Sequence, residues 1–167
     1  MKIGLLSDTH GYLDEKIFDY FRECDEVWHA GDIGSKEVAD KLEAFKPFKA
    51  VFGNIDDQEM QRRYVEDLWF TCEQVSVLIT HIAGAPPNYN SRVKKILKET
   101  KPDILVCGHS HILKVIHDKQ YEMLYLNPGA AGNQGFHHIK TLLRFEINGK
   151  KVSNMEVIEL GRRGAIQ

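Results

Sequence analysis

Residues 2–11 read KIGLLSDTHG, a short apolar run that ends in an acid, a hydroxyl and a histidine followed by glycine. Two later segments repeat the arrangement: residues 26–32 read EVWHAGD and residues 48–54 read FKAVFGN. Between them, apolar residues at helical spacing predict one helix over residues 13–24 and another that Ser35 caps and Pro47 closes. Because strand, helix and strand alternate with short connections, the first three strands should be parallel, as in an α/β fold.

The pattern changes after residue 63. Residues 64–80 predict two strands, residues 90–100 a helix and residues 103–107 another short strand. The remainder is rich in predicted strands, which cover residues 113–117, 121–126, 141–147 and 152–160. Asn148-Gly149 is the strongest hairpin signal in the chain, and residues 161–167 read as a frayed tail.

Length and composition narrow the class of protein. The 167 residues suit a single domain over 1–167, and they are too few for a complete (β/α)8 barrel. With 43% apolar and 28% charged residues the chain is typical of a globular protein and excludes a disordered one. The three cysteines are too scattered for a disulfide framework, and no apolar run is long enough to span a membrane. We therefore expect a soluble, cytoplasmic protein with no membrane partner.

Seven polar side chains follow the ends of predicted strands. Since the carboxyl ends of parallel strands meet at one edge of a sheet, we expect these side chains to converge. Asp8 and His10, and likewise His109 and His111, are two residues apart, which places each pair on one side of an extended backbone. The full set of candidate metal ligands is Asp8, His10, Asp32, Asn54, His81, His109 and His111.

This ligand set indicates two divalent metal ions. Seven nitrogen and oxygen ligands are too many for one tetrahedral zinc, but they fit two ions if one carboxylate bridges. Carboxylates, imidazoles and an amide suit Mn²⁺ foremost, with Zn²⁺, Ni²⁺ or Fe²⁺ as alternatives. Two ions held by two carboxylates and a bridging hydroxide leave a net charge of about +1, which attracts an anionic phosphate. Such a pair forms a clamp for in-line displacement at phosphorus.

The ordered motifs resemble those of the calcineurin-like metallophosphoesterases, and the short chain is similar to the small bacterial and archaeal phosphodiesterases of that superfamily. The motifs are Asp8-Thr9-His10, Gly31-Asp32, Gly53-Asn54-Ile55-Asp56, His81 and Gly108-His109-Ser110-His111. The resemblance implies a four-layer αββα sandwich with two central mixed β-sheets and the metal site at the C-terminal ends of strands. It also implies hydrolysis of a small or nonspecific phosphodiester.

The same resemblance assigns a role to each residue. Asp8, His10 and His111 would hold the first ion, and Asn54, His81 and His109 the second, with Asp32 bridging both. A metal-bridging water would attack phosphorus, supported by Asp8, His10, Asp32, Asn54 and His109.

Three positions depart from the family pattern. Ile55 stands where many members have a histidine that helps the leaving group, so protonation falls to water, Asp56 or Asp57. His81 is followed by Ile82 rather than glycine, and Ala130 stands where serine is frequent after Asn127-Pro128-Gly129.

The remaining histidines and two other functions complete the expectations. We expect His29 to pack in the core or to support a ligand residue, His117 to be exposed on a strand, and His137 and His138 to be solvated in a loop. A non-catalytic scaffold is an alternative, because a subunit of the retromer coat shares the fold. A nuclease is another, although the net charge of −2 gives no basic surface for nucleic acid. The oligomeric state is open.

Overall fold

The computed structural model describes residues 1–164, over which the chain forms twelve strands and four helices. The strands are β1 (Lys2–Leu6), β2 (Glu26–His29), β3 (Phe48–Ala50), β4 (Asp67–Cys72), β5 (Val75–Thr80), β6 (Gly84–Ala85), β7 (Asn88–Tyr89), β8 (Ile104–Val106), β9 (Lys114–Asp118), β10 (Met123–Asn127), β11 (Ile139–Asn148) and β12 (Lys151–Arg162). The helices are α1 (Lys16–Tyr20), α2 (Lys36–Phe45), α3 (Gln58–Arg63) and α4 (Ser91–Glu99).

Two mixed five-stranded sheets form the centre of the described chain. The first has the order β12-β11-β1-β2-β3, in which β1, β2 and β3 are parallel, as the sequence predicts, and β11 and β12 are antiparallel. The second has the order β4-β5-β8-β10-β9, with β5, β8 and β10 parallel and an antiparallel strand at each edge. The expectation of two central mixed sheets is confirmed.

Three apolar clusters separate four layers. One lies between the sheets, where Trp28 and Phe145 of the first face Val77 and Val106 of the second. Another packs α1, α2 and α3 on the outer face of the first sheet, and the last packs Val93 and Leu97 of α4 on the outer face of the second. The layer order is therefore helix, sheet, sheet, helix, and the predicted four-layer sandwich is confirmed.

The helical predictions differ from the structure in two places. The helix predicted over residues 13–24 is only α1, five residues long, because the segment before it is held in a loop by the buried ion pair of Asp14 with Lys140. Helix α3 was not predicted, because Met60 is its only buried residue and one apolar side chain gives no periodicity. The sequence signal for this helix is its N-cap, Asp57. The Asp57 side chain accepts a hydrogen bond from the Met60 amide at 3.0 Å.

The strand-rich second half is close to prediction. Asn148 pairs with Lys151, so the expected hairpin forms around Gly149. The frayed tail was placed too early, because Gly161 and Arg162 still pair with β11 at the end of β12; residues 165–167 of that prediction lie outside the described residues. Among the described helices, none has the length and apolar character needed to cross a membrane.

Candidate metal centre

The structure brings all seven predicted ligand residues to one place, where the carboxyl ends of both sheets meet. The first sheet contributes the residues after β1, β2 and β3, and the second contributes those after β5 and β8. In chain order these are Asp8, His10, Asp32 and Asn54 from the first sheet and His81, His109 and His111 from the second. Neither sheet alone could assemble the set, so the centre depends on the packing of one sheet against the other.

Three of the side chains form a first group. The Nε2 atom of His111 lies 3.2 Å from Oδ1 of Asp8 and 3.3 Å from Nε2 of His10. Their ligand atoms all lie within 4.8 Å of one another, a spacing that one metal ion could occupy. This group is the set that the family resemblance assigns to the first ion.

A second group consists of Asp32, His81 and His109, whose ligand atoms also lie within 4.8 Å of one another. The Nε2 atom of His81 is 3.2 Å from Oδ2 of Asp32 and 3.1 Å from Oδ1 of Asn54, so the amide oxygen joins the same group. His81 is buried among the ligands despite the Ile82 that follows it. That Asn54 and the three others hold an ion remains a prediction.

Asp32, a member of the second group, also lies close to the first. Its Oδ2 atom is 3.6 Å from Nε2 of His10 in the first group and 3.2 Å from Nε2 of His81 in the second. Its Oδ1 atom accepts a hydrogen bond from the Ile55 amide at 3.0 Å, which fixes the carboxylate plane. Asp32 is therefore the candidate ligand that lies near both groups.

The chemistry of the donor set fits a cation. His81 Nδ1–H donates to the Ala30 carbonyl at 2.7 Å, so in the neutral ring the Nε2 lone pair faces the carboxylate of Asp32. In the protonated ring Nε2–H donates to that carboxylate instead. Burial acts to lower the pKa of His81 and to raise that of Asp32, but this hydrogen bond and the attraction between the charges, that of Asp8 on His81 included, outweigh burial, so the pKa of His81 is raised and that of Asp32 lowered. The carboxylates therefore attract a positive charge to this position, which a proton on Nε2 or a metal ion would supply.

The backbone at the centre is not extended, contrary to the expectation. Five of the seven residues have left-handed φ values, from 50° at His10 to 67° at His109. Such values are uncommon outside glycine and cluster where a side chain must be aimed at a functional site. The paired ligands converge because each chain segment turns sharply at the ligand itself.

Gly108 is needed for close approach rather than for a special φ. A Cβ atom there would lie 2.0 Å from Oγ of Ser7 and 2.7 Å from Oδ2 of Asp8. The Asp8 carboxylate in turn accepts from the backbone amide of His109 at 3.1 Å. Packing of the β8 loop directly on β1 therefore carries His109 and His111 to the first sheet.

Further residues support the candidate ligands, and His29 is one that the sequence already indicated for the core or for such a role. The ring of His29 is fully buried, as predicted, and its Nδ1 accepts from the Gly31 amide at 3.1 Å. Its Nε2–H then donates to the Thr9 hydroxyl at 3.0 Å, and burial lowers the pKa of His29 to about 3. This neutral ring ties the loop of Asp8 to the loop of Asp32.

The loop after β8 is supported by Asn127, which lies in the segment Asn127-Pro128-Gly129 that resembles the family. Its Nδ2 donates to the Gly108 carbonyl at 2.9 Å and to Oγ of Ser110 at 3.1 Å, so it fastens the segment that carries His109 and His111. His117 is exposed, as expected. His137 differs from its prediction: the ring contacts His111 instead of standing free in solvent, because its loop folds over that histidine.

Asp56 is a structural residue, which removes it as a candidate proton donor to the leaving group. Its carboxylate is buried and accepts from the amides of Ile33 at 3.1 Å, Gly34 at 2.7 Å and Gly53 at 2.8 Å. Asp57 is the cap of α3. The side chain that follows Asn54 is the partly exposed Ile55, which has no proton to give.

We expect Asp56→Ala to lower the free energy of unfolding by about 3–5 kcal/mol, because each buried amide left without an acceptor costs about 1–3 kcal/mol. Asp57→Ala, one residue along the chain, removes only a helix cap and should cost about 1 kcal/mol. Urea unfolding of metal-free protein measures both. Equal losses in the two variants would contradict the role given to Asp56.

Comparison with known proteins identifies the family. Residues 1–150 match the family model described as the calcineurin-like phosphoesterase superfamily domain. The chain belongs to the calcineurin-like phosphoesterase superfamily. A protein named probable metallophosphoesterase from Methanocaldococcus jannaschii is 31% identical over 136 residues, which cover 78% of this chain and 68% of that protein. A phosphodiesterase from the same organism is 25% identical over 145 residues, covering 77% and 83%.

Solved structures share the two-sheet fold of this calcineurin-like chain. An archaeal phosphodiesterase has a TM-score of 0.76 at 23% identity, over 96% of this chain and all of the other. Vps29 from Entamoeba histolytica, solved with zinc, has a TM-score of 0.71 at 18% identity, over 95% and 99%. At these identities the likeness concerns the fold alone. The superfamily implies divalent metal ions, and the two groups around Asp32 supply candidate residues to hold them.

Proposed function

We propose that this metallophosphoesterase is a phosphodiesterase with a binuclear metal centre, acting on a small or nonspecific phosphodiester. The observation that supports the proposal is the position of Asp32, which belongs to the second group and lies 3.6 Å from His10 of the first. Asp8, His10 and His111 would hold one ion, His81, His109 and Asn54 the other, and Asp32 both. Mn²⁺ is the favoured ion for this set of carboxylate, imidazole and amide ligands, with Zn²⁺, Ni²⁺ or Fe²⁺ as alternatives.

When bound, two divalent ions supply a Lewis acid for the phosphoryl oxygen and a water nucleophile near neutral pH. The chain's own residues set the geometry for that chemistry. The Ala30 carbonyl fixes the ring of His81 and the Ile55 amide fixes Asp32. The site has no histidine after Asn54, and Asp56 is held by backbone amides, so water would protonate the leaving group. Substrates with good leaving groups should therefore react fastest.

A cavity beside the second group favours a diester over a monoester. It has a volume of about 330 Å³, and Asn54 and His81 form part of its wall together with Phe52, Ile82 and Arg92. Arg92 donates to Asp67 at 2.5 Å and to the Thr80 hydroxyl at 2.7 Å, and Glu66 lies 3.6 Å away. These two carboxylates more than compensate the guanidinium charge, so the cavity suits a neutral ester arm rather than a second anionic group.

The proposal extends to partners and compartment. With a formal net charge of −2, the chain has no overall positive field for a nucleic-acid strand, so neither nucleic acid nor a membrane is proposed as an obligatory partner. All three cysteines are buried free thiols, which is consistent with a reducing cytoplasm. We keep the whole chain, residues 1–167, as one domain.

The direct test compares metal-stripped protein with and without Mn²⁺ on bis-p-nitrophenyl phosphate and on the corresponding monoester. We expect hydrolysis that depends on Mn²⁺ and is faster for the diester. His111→Ala should abolish it, whereas His117→Ala, which removes an exposed histidine from β9, should not. Equal turnover of both esters would contradict the diester preference. A folded protein inactive with Mn²⁺, Zn²⁺, Ni²⁺ and Fe²⁺ alike would favour the scaffold instead.

A further inference from the structure

The loop of residues 132–138 packs directly against His111. Gly135 has a φ of 117°, and a Cβ atom at this position would lie 2.0 Å from Nδ1 of His111. Only a glycine fits so close to the ring in this backbone conformation. The loop therefore covers the edge of His111 that faces away from the ligand cluster, where its Nε2 atom meets Asp8 and His10.

Hydrogen bonds continue from that edge through His137. The Nδ1 atom of His111 is 3.3 Å from Nδ1 of His137, and Nε2 of His137 is 2.9 Å from the carbonyl oxygen of Gly132. A carbonyl only accepts, so Nε2 of His137 carries the hydrogen and, in the neutral ring, its Nδ1 is an acceptor. Nδ1–H of His111 is therefore the donor to Nδ1 of His137. In the neutral ring, Nε2 of His111 then carries no hydrogen, and its lone pair points toward Asp8.

We propose that His137 is a positioning residue for the metal centre, because it selects the tautomer and ring orientation in which Nε2 of His111 can bind a cation. A ligand histidine generally depends on the partner of its other nitrogen for this purpose. His81, in the second group, has such a partner in the Ala30 carbonyl at 2.7 Å. In the first group the acceptor is the side chain of His137 instead of a backbone carbonyl. Unlike a carbonyl, this acceptor can be removed by mutation.

This inference rests on the metal-binding part of the proposed function and is independent of which ester is hydrolysed. Its test therefore begins with metal-free protein. Nitrogen-15 NMR of the imidazole rings at about pH 8.5, above the usual imidazole pKa, reports which nitrogen of His111 carries the hydrogen. We expect Nδ1–H in the wild type and loss of that preference in His137→Ala.

Three variants separate positioning from general packing. His137→Ala removes the acceptor and should weaken binding of Mn²⁺ by about 10–100-fold, the usual effect of losing a partner of a ligand histidine. His137→Asn places an amide oxygen near the position of the lost Nδ1, so it should restore most of the affinity and the Nδ1–H tautomer. His138→Ala deletes the exposed neighbouring histidine and should change neither.

Two results would overturn the inference: a His137→Ala protein that keeps both the Nδ1–H tautomer and wild-type Mn²⁺ affinity, or a His137→Asn protein no better than His137→Ala. If the wild type binds no Mn²⁺ at all, the proposed function fails, and the tautomer of metal-free His111 still decides the role of His137. If the metal binds as expected but no ester is hydrolysed, only the catalytic proposal fails.

Discussion

Asp32→Asn is expected to lose metal binding and hydrolysis together, with kcat/KM falling at least about 10²–10³-fold, equivalent to about 3–4 kcal/mol of transition-state stabilisation. The Oδ1 atom, which accepts from Ile55, has a direct counterpart in asparagine, so the loop should keep its conformation. The Oδ2 atom, which faces His10 and His81, becomes an uncharged NH₂ donor. Both groups thereby lose their shared anion.

The measurement is metal content per chain together with diester turnover, on protein whose fold is checked by its thermal midpoint. Asp19→Asn is the matched control, since it makes the same chemical change in an exposed carboxylate that pairs with Arg22 and is not a candidate ligand. We expect the control to keep its metal and its activity. A variant at Asp32 that retains two ions and wild-type turnover would contradict the bridging assignment.

Most of the fold and the convergence of the seven candidate ligands were predictable because both follow from local patterns. Short apolar runs that end in polar residues predict parallel strands. They also predict that the polar side chains after each run lie at the carboxyl edge of the sheet. Asp8, Asp32 and His109 each follow such a run, so their convergence needed only the rule that parallel strands share an edge. The pairing of the two sheets into one centre came from the family resemblance, since no local pattern specifies which sheet faces which.

What the sequence missed depends on contacts between distant residues. Asp56 reads as a turn residue after Gly53, but its three amide partners include Ile33 and Gly34, more than twenty residues earlier. His137 reads as a loop histidine, and its role becomes visible only when the loop lies on His111. The left-handed φ values could not be predicted either. They depend on tertiary contacts, and the residue type alone does not indicate a left-handed backbone at an aspartate or a histidine.

A large effect on stability, similar to that of Asp56→Ala, is expected from the buried ion pair of Lys140 and Asp14. Nζ of Lys140 donates to Oδ2 of Asp14 at 2.9 Å, and both side chains are almost fully buried. Lys140→Met would remove the charged donor to this buried carboxylate, so we expect the free energy of unfolding to fall by about 3–5 kcal/mol. Asp14→Asn should cost a similar amount, and the double variant should cost less than the sum. Lys101→Met, which removes one side of an exposed pair with Glu122, should have little effect.

The pH dependence of stability is a second test of the same ion pair. Burial acts to raise the pKa of Asp14, but the hydrogen bonds from Lys140 and the Lys16 amide, together with the charges of these two lysines, outweigh it and leave that pKa below its ordinary value. A carboxylate with a lowered pKa stabilises the fold at pH values above about 3.9, its unfolded pKa, and this stabilisation is lost as the pH falls through the folded value. The difference in unfolding free energy between wild type and Asp14→Asn should therefore be constant from about pH 8 to 5 and shrink below about pH 4. A gap that persists in acid would mean that packing rather than charge sets the cost.

This pair also connects the fold to the centre. Asp14 follows His10 by four residues, and Nζ of Lys140 lies 4.8 Å above the ring of Tyr12, so the pair fastens the loop of His10 onto β11. Unfolding measured on metal-free protein isolates the cost to the fold. Mn²⁺ affinity measured on the folded fraction then isolates the cost to the centre. If Lys140→Met destabilises the protein but leaves that affinity unchanged, the left-handed turn at His10 is held by its backbone bond to Asp32, 3.0 Å long, and not by the ion pair.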